Sequence, residues 1–266
     1  MKVLEAIGKS FGIAGKMLST LAFLFVFNAV WNLVMMRYMS THSAGAAMRP
    51  STLIIIMSVL FILANVFIQG GVLGIVKETL DPAKRPSLAD FAKYGARFYL
   101  KLLALGAIIM AAVLLVILVV GVVFAVGSIG KNMILAVMLG IVALAALAVA
   151  LYYLFLLFLA PYTLVVDDLG VVASLKASIQ FVRSHLWKVG ALSTLVVLVA
   201  LGIGFCAGML TALANIALKK GIILDLITSV LTGAVNAYVT ILISAALVIY
   251  YAAVSGKQAN PEAVSA

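Results

Sequence analysis

Six long apolar runs constrain what this chain can fold into more than any other feature. They cover about Met17–Met36, Thr52–Val76, Phe98–Val126, Met133–Ala160, Trp187–Leu218 and Ile222–Val254. Each is longer than the roughly 18 predominantly apolar residues that argue for a membrane-spanning helix. Of the 266 residues, 66% are hydrophobic and 10% charged, too little polar surface to cover a soluble fold of that size. The runs are spread over the whole length. The expectation is therefore a single all-α integral membrane domain over residues 1–266 with six transmembrane helices and a polar tail at 255–266.

A secretory signal is the competing reading of the first run. Lys2, Lys9 and Lys16 precede it, and Ser43-Ala44-Gly45-Ala46 resembles a cleavage site. The run is longer than the roughly 7–15 residues of a signal-peptide core, so it reads as an uncleaved first span.

Between the spans lie three basic amphipathic segments with a common register. Val172, Leu175, Ile179, Val182 and Leu186 follow a 3, 4, 3, 4 spacing. Moving back 84 residues gives Leu88, Phe91, Gly95, Phe98 and Leu102, and a further 84 gives Leu4, Ile7, Phe11, Ala14 and Leu18. All are apolar or glycine and fall on one helical stripe. The period describes a unit of interfacial helix, span, outer turn and return span. Three such repeats of about 84 residues, 1–84, 85–168 and 169–254, nearly fill the chain. Evenly spaced loops in any six-span protein give a similar period, so duplication stays open. Within the second segment, Ser87 and Asp90 have the spacing of a helix-start capping box.

The formal net charge of +10 finds its natural place on one membrane face. With both termini on the same side, that side holds Lys2, Lys9, Lys16, Lys77, Lys84, Arg85, Lys93, Arg97, Lys101, Lys176, Arg183, Lys188 and Lys257. Arg37, Arg49, Lys131, Lys219 and Lys220 remain for the other, a bias of 13 against 5 among the 18 basic residues. The excess predicts cytoplasmic termini in a multi-pass inner (plasma) membrane protein. It also predicts anionic lipid headgroups as partners rather than nucleic acid, for which no motif is present. A lone cysteine, Cys206, allows no disulfide within the chain.

The stretch from residue 161 to 190 carries a family likeness. Pro161 closes a span, and Asp167, Asp168 and Gly170 lead into a helix bearing Ala173, Ser178 and Arg183. This resembles a broad group of prokaryotic multi-span proteins. The group includes the membrane domain attached to some bacterial glycerophosphodiester phosphodiesterases, and stand-alone members. A fainter echo lies in residues 70–101. The resemblance implies a helical membrane domain without its own active site. No soluble catalytic domain accompanies it here, so phosphodiesterase activity is not implied.

Five sets of residues stand out as candidate sites. Asp167 and Asp168 offer two carboxylates for a hydrated cation or a lipid amine, against a cap for the following helix. Asn28 and Asn32 lie one turn apart in the first span, and Asn65 and Gln69 in the second. With Asn236 they read either as a polar interior for a solute or as interhelical hydrogen bonds. Asp225 reads as a local ion-pair partner of Lys219 and Lys220. Gly204 and Gly208 form a GxxxG face suited to close helix packing, within the chain or with another subunit. Lys93, Arg97 and Lys101, spaced by four, suit headgroup contact, as do Lys176 and Arg183.

Catalysis finds little in the sequence. His42 and His185 are expected on opposite membrane faces, and no nucleophile–base pairing, metal-ligand spacing or phosphate loop is present. The chain reads as a non-enzyme without cofactor or metal. It is expected to be an accessory or scaffold subunit that contacts lipid or organises a membrane complex, with a protein partner or a second copy as further partners. The alternative is a transporter or channel-like component for a small solute or lipid.

Overall fold

The computed structural model describes residues 3–42, 52–81, 87–129, 133–218 and 221–256. Among these the chain is helical, without strands. The elements are α1 (Val3–Lys16), α2 (Leu18–His42), α3 (Thr52–Thr79), α4 (Leu88–Ile129), α5 (Met133–Leu157), α6 (Ala160–Val166), α7 (Val171–Ser184), α8 (Leu186–Ala217) and α9 (Ile222–Val254). Six segments are long and apolar enough to cross a membrane: α2, α3, α4, α5 with α6, α8 and α9. Of the basic residues counted above, Lys2, Arg49, Lys84, Arg85, Lys131, Lys219, Lys220 and Lys257 lie outside the described residues, which leaves the ion pairs expected for Asp225 there too.

Two helix boundaries differ from expectation, each for a local reason. The second basic segment is not a separate helix. It forms the first turns of α4, which continues unbroken for 42 residues. No proline interrupts Leu88–Ile129, and the buried series Phe91, Phe98, Leu102 and Leu105 runs straight through the expected junction. At about 1.5 Å per residue such a helix is roughly 63 Å long, twice a hydrocarbon core of about 30 Å. Its start is fixed as expected. The Ser87 N–H donates to Asp90 Oδ2 at 3.0 Å while the Asp90 N–H donates to Ser87 Oγ at 3.2 Å, a reciprocal capping box.

The other difference is at Pro161, expected to end the fourth span. Instead the chain turns at Phe158 and Leu159, and Pro161 sits in the first turn of α6, which carries the helix on to Val166. Proline removes one N–H and crowds the preceding carbonyls, so α5 stops at Leu157. The same missing N–H costs nothing at a helix start.

The chain divides into two compact units, Met1–Tyr99 with Trp187–Ala266, and Leu100–Leu186. In the first, α9 is the central helix. In its most apolar stretch 67% of residues are buried, against 11% or less for each of the other spans. It packs on α1, α2 and α3, and burial is continuous over Ser244–Ala252. A backbone-to-backbone approach lies at Gly233, where an added Cβ would lie 2.8 Å from the backbone nitrogen of Ala29 on α2.

A second close contact joins α3 to the start of α4. Gly71 receives the edge of the Phe91 ring, Gly74 lies against Cβ and Cγ of Tyr94, and Gly95 faces the Phe67 ring. Phe91 also meets Phe23 at 5.1 Å and Phe67 at 6.3 Å between ring centroids. The glycines make the room that these rings fill, which is how helices approach in lipid, where packing rather than water exclusion drives association.

In the second unit, α7 is held by hydroxyl groups. Ser178 Oγ donates to the Leu156 carbonyl at 2.7 Å, near the end of α5 where the helix break leaves carbonyls without intrahelical donors. Thr163 Oγ1 lies 3.0 Å from the carbonyls of Ala160 and Ser174. Ser174, Ser178 and Val182 are the buried face of α7. Val172, from the expected apolar stripe, is instead exposed. The same offset occurs in α1, where Ala6, Ile7, Ser10 and Ala14 are buried while Leu4 and Phe11 are exposed, as is Leu18 at the start of α2.

Candidate functional site

Basic side chains at the helix ends are the feature that most resembles a site. On α7, Lys176, Gln180 and Arg183 recur every three to four residues and line a groove with Ile179 and Ser184 of about 540 Å³. Lys176 and Arg183 are exposed, and neither has a carboxylate partner among the described residues. Ser184 turns inward, its Oγ 2.8 Å from the Gln180 carbonyl and 3.0 Å from that of Phe181. Immediately beyond α7, the His185 ring sits 4.9 Å from the Phe181 ring, Nδ1 3.2 Å from the Phe181 carbonyl. Trp187 is 89% exposed.

The α4 cations are used differently from one another. Lys93 and Arg97 are exposed, and the Arg97 guanidinium lies 5.5 Å from the centroid of the Phe98 ring. Lys101 instead reaches Asp168 Oδ1 at 3.1 Å. Both partners are about one-third exposed, so the pair contributes no more than about 1 kcal/mol.

Asp168 does not cap α7, which corrects the expected role. The residue preceding α7 is Gly170, with no side-chain cap bond. Asp168 sits two residues past the end of α6, just after the capping Asp167, with φ of 51°, and the Leu169 N–H donates to the Leu164 carbonyl at 3.1 Å. That is the closing bond of a Schellman turn, with aspartate at the left-handed position usually held by glycine. Aspartate tolerates this conformation better than most side chains. Asp168→Gly is expected to leave the thermal midpoint in detergent nearly unchanged, since relief at the turn offsets the lost ion pair. Asp168→Ala loses the pair and keeps the strain. It should destabilise by about 1–2 kcal/mol, which a side-by-side unfolding series checks.

Asp167 is half-buried beside it. Among the described residues no three His, Cys, Asp or Glu side chains are grouped closely enough to hold a metal ion.

The amides of the spans are not joined across helices. Asn28 Nδ2 donates to the Leu24 carbonyl and Asn65 Nδ2 to the Phe61 carbonyl, each 2.8 Å away on its own helix. Gln69 and Asn236 are exposed. What joins α2 to α3 at this level is aromatic: Trp31 stacks on Phe61 at 4.5 Å and Phe27 at 6.1 Å. Asn32 differs from the other amides. Its Nδ2 is buried with no hydrogen-bond partner among the described residues, as is Ser229 Oγ on α9.

Gly204 and Gly208 have nothing within 4 Å of an added Cβ. The face meant for packing is therefore open, and Cys206 beside it is exposed. Besides Gly71, Gly74 and Gly95, the packing glycine used is Gly233, within a buried Ser229, Gly233, Ala237 series. That small residue every fourth position is visible in the sequence, and it has the same spacing logic as GxxxG. The hydroxyl series Thr163, Ser174 and Ser178 has no comparable sequence signal.

Comparison with curated proteins and with solved structures yields no match. A family model described as a domain of unknown function, DUF7847, matches residues 1–254. That match, over nearly the whole chain and its six membrane-length helices, places this helical, membrane-like protein in the DUF7847 family.

Proposed function

We propose that this protein is a non-enzymatic membrane subunit that gathers anionic lipid, or a complex resting on it, against basic helices at the cytoplasmic surface. The observation that carries this reading is the placement of α7. It is a short helix spliced directly between two apolar spans, with Lys176 and Arg183 exposed and Trp187 standing in the open at its exit. A helix so connected lies at the level of the headgroups, where tryptophan and basic side chains concentrate. The exposed apolar side chains Leu4 and Phe11 of α1, and Leu18 at the start of α2, suit the same level, with Lys16 beside them. The excess of cations on one side supports cytoplasmic termini. The shared register of the three basic segments supports an origin by repetition.

Native mass spectrometry of the gently extracted protein in an equimolar mixture of phosphatidylglycerol and phosphatidylcholine tests the reading. Preferential retention of phosphatidylglycerol is the expected result. Equal retention of the two lipids would overturn it.

A transporter reading rests on one specific observation, the pair Asn32 and Ser229. Asn32 follows Ala29 by three residues and Ser229 precedes Gly233 by four, so on antiparallel helices in contact at Ala29 and Gly233 both lie one turn to the same side. Two buried polar atoms without partners at one level of a membrane interior are suited to a water or a polar solute.

A further inference from the structure

We infer that the groove along α7 is a discrete site for the phosphodiester of one anionic phospholipid, clamped by Lys176 and Arg183; the inference rests on the lipid-contact reading above and locates it. Lys176, Gln180 and Arg183 lie four and three residues apart, so their side chains rise from one face of the helix over two turns. The Lys176 ammonium and the Arg183 guanidinium supply the positive charge at either end, and the Gln180 amide supplies a neutral donor between them. The guanidinium fork matches two oxygens of a phosphate, whereas the ammonium acts as a point charge. Ser184 is not a donor to the ligand, because its hydroxyl is directed at the carbonyls of Gln180 and Phe181.

The rest of the groove suits a lipid rather than a free anion. Ile179 and the methylene stems of Lys176 and Arg183 give it an apolar wall, where glycerol carbons and the start of an acyl chain can lie. The groove is wide open along one side of the helix, so it can admit the headgroup of a lipid lying against α7. No acidic side chain lies on α7 to oppose an anion. The nearest carboxylates in sequence, Asp167 and Asp168, precede the helix, and Asp168 is engaged by Lys101. The buried face of α7, Ser174, Ser178 and Val182, holds the helix in place, so the exposed face is presented without rearrangement.

The test is the same retention measurement on three forms of the full chain: wild type, Lys176→Gln/Arg183→Gln, and Lys93→Gln/Arg97→Gln. All substituted cations are exposed, so each variant keeps its packing. Each cation near an anionic surface is worth about fivefold in affinity. The α7 variant should then lose about one phosphatidylglycerol per protein, with its affinity down roughly 30-fold, while the α4 variant retains it. If the α4 variant loses the lipid and the α7 variant does not, the groove assignment is wrong while the general headgroup reading stands. If wild type shows no preference for phosphatidylglycerol, both fall. Glycerol phosphate added at a molar concentration comparable to that of the lipid is the last arm. Displacement of the lipid at comparable molar concentration would show that the groove takes a soluble phosphate ester, which overturns the lipid assignment.

Discussion

Gly233→Ala is expected to destabilise the protein by about 1–3 kcal/mol, the usual cost of overpacking a filled interior. The new methyl group would sit 2.8 Å from the Ala29 nitrogen and 3.0 Å from its Cα and Cβ. These are mostly backbone atoms in the middle of α2, so no side-chain rotation can clear them. The two helices must separate instead, along the contact that joins α2 to the central helix. In lipid that separation is poorly compensated, because close packing is itself the main source of association. Gly204→Ala and Gly208→Ala are the controls. Nothing lies within 4 Å of either added Cβ, and alanine is the better helix former, so their midpoints should stay level or rise slightly. Thermal unfolding of the three variants in one detergent separates the outcomes. A Gly233→Ala midpoint equal to wild type would mean that the α2–α9 contact is looser than the structure shows.

The contrast among these glycines shows where the sequence is informative. Six apolar runs specify six spans because a bilayer imposes length and composition on each segment independently. The Ser87 and Asp90 box is equally legible, since capping is settled within four residues. Helix pairing is not local. GxxxG at Gly204 and the Ser229, Gly233, Ala237 series have the same periodicity, yet only the second meets a partner, and the partner's surface decides which. The amides show the same limit. Asn28 and Asn65 have the spacing of an interhelical pair, but each satisfies itself one turn back on its own helix. Asp168 departs from expectation for a different reason. An acidic residue just before a helix has the sequence signature of an N-cap, and only the left-handed φ of 51° reveals that it closes the preceding helix instead. The basic helices lie between these extremes. Their periodicity is readable, but burial falls on the adjoining small-residue side, Ser174 and Ser178 on α7 and Ala6 and Ser10 on α1. The apolar stripe is thereby left partly outward, which is what a helix shared between protein and lipid requires.

Gly74→Ala should be the other strongly destabilising change, at about 2–3 kcal/mol, and its character can be diagnosed with Tyr94. An added methyl at residue 74 meets Tyr94 at Cβ and Cγ, the part of the side chain fixed to the α4 backbone. The far end of the ring is fixed as well, since the Tyr94 hydroxyl donates to Glu78 Oε1 at 2.5 Å. A tyrosine held at both ends cannot swing aside, so α3 and α4 must part. Gly71→Ala offers a graded comparison. There the methyl meets Cε2, Cδ2 and Cζ of Phe91 at 2.6–2.9 Å, the far end of a side chain rather than its base. Its cost should be nearer 1 kcal/mol. Tyr94→Phe removes the hydroxyl bond but leaves Cβ and Cγ in place, so it should not rescue Gly74→Ala. Tyr94→Gly removes both obstructing atoms, Cβ and Cγ, and the double variant Gly74→Ala/Tyr94→Gly should be more stable than the sum of the two single losses. Additive losses in that cycle would place the cost of Gly74→Ala somewhere other than the Tyr94 contact. Rescue by glycine but not by phenylalanine would identify the base of the Tyr94 side chain, rather than its hydrogen bond, as what sets the spacing of α3 and α4.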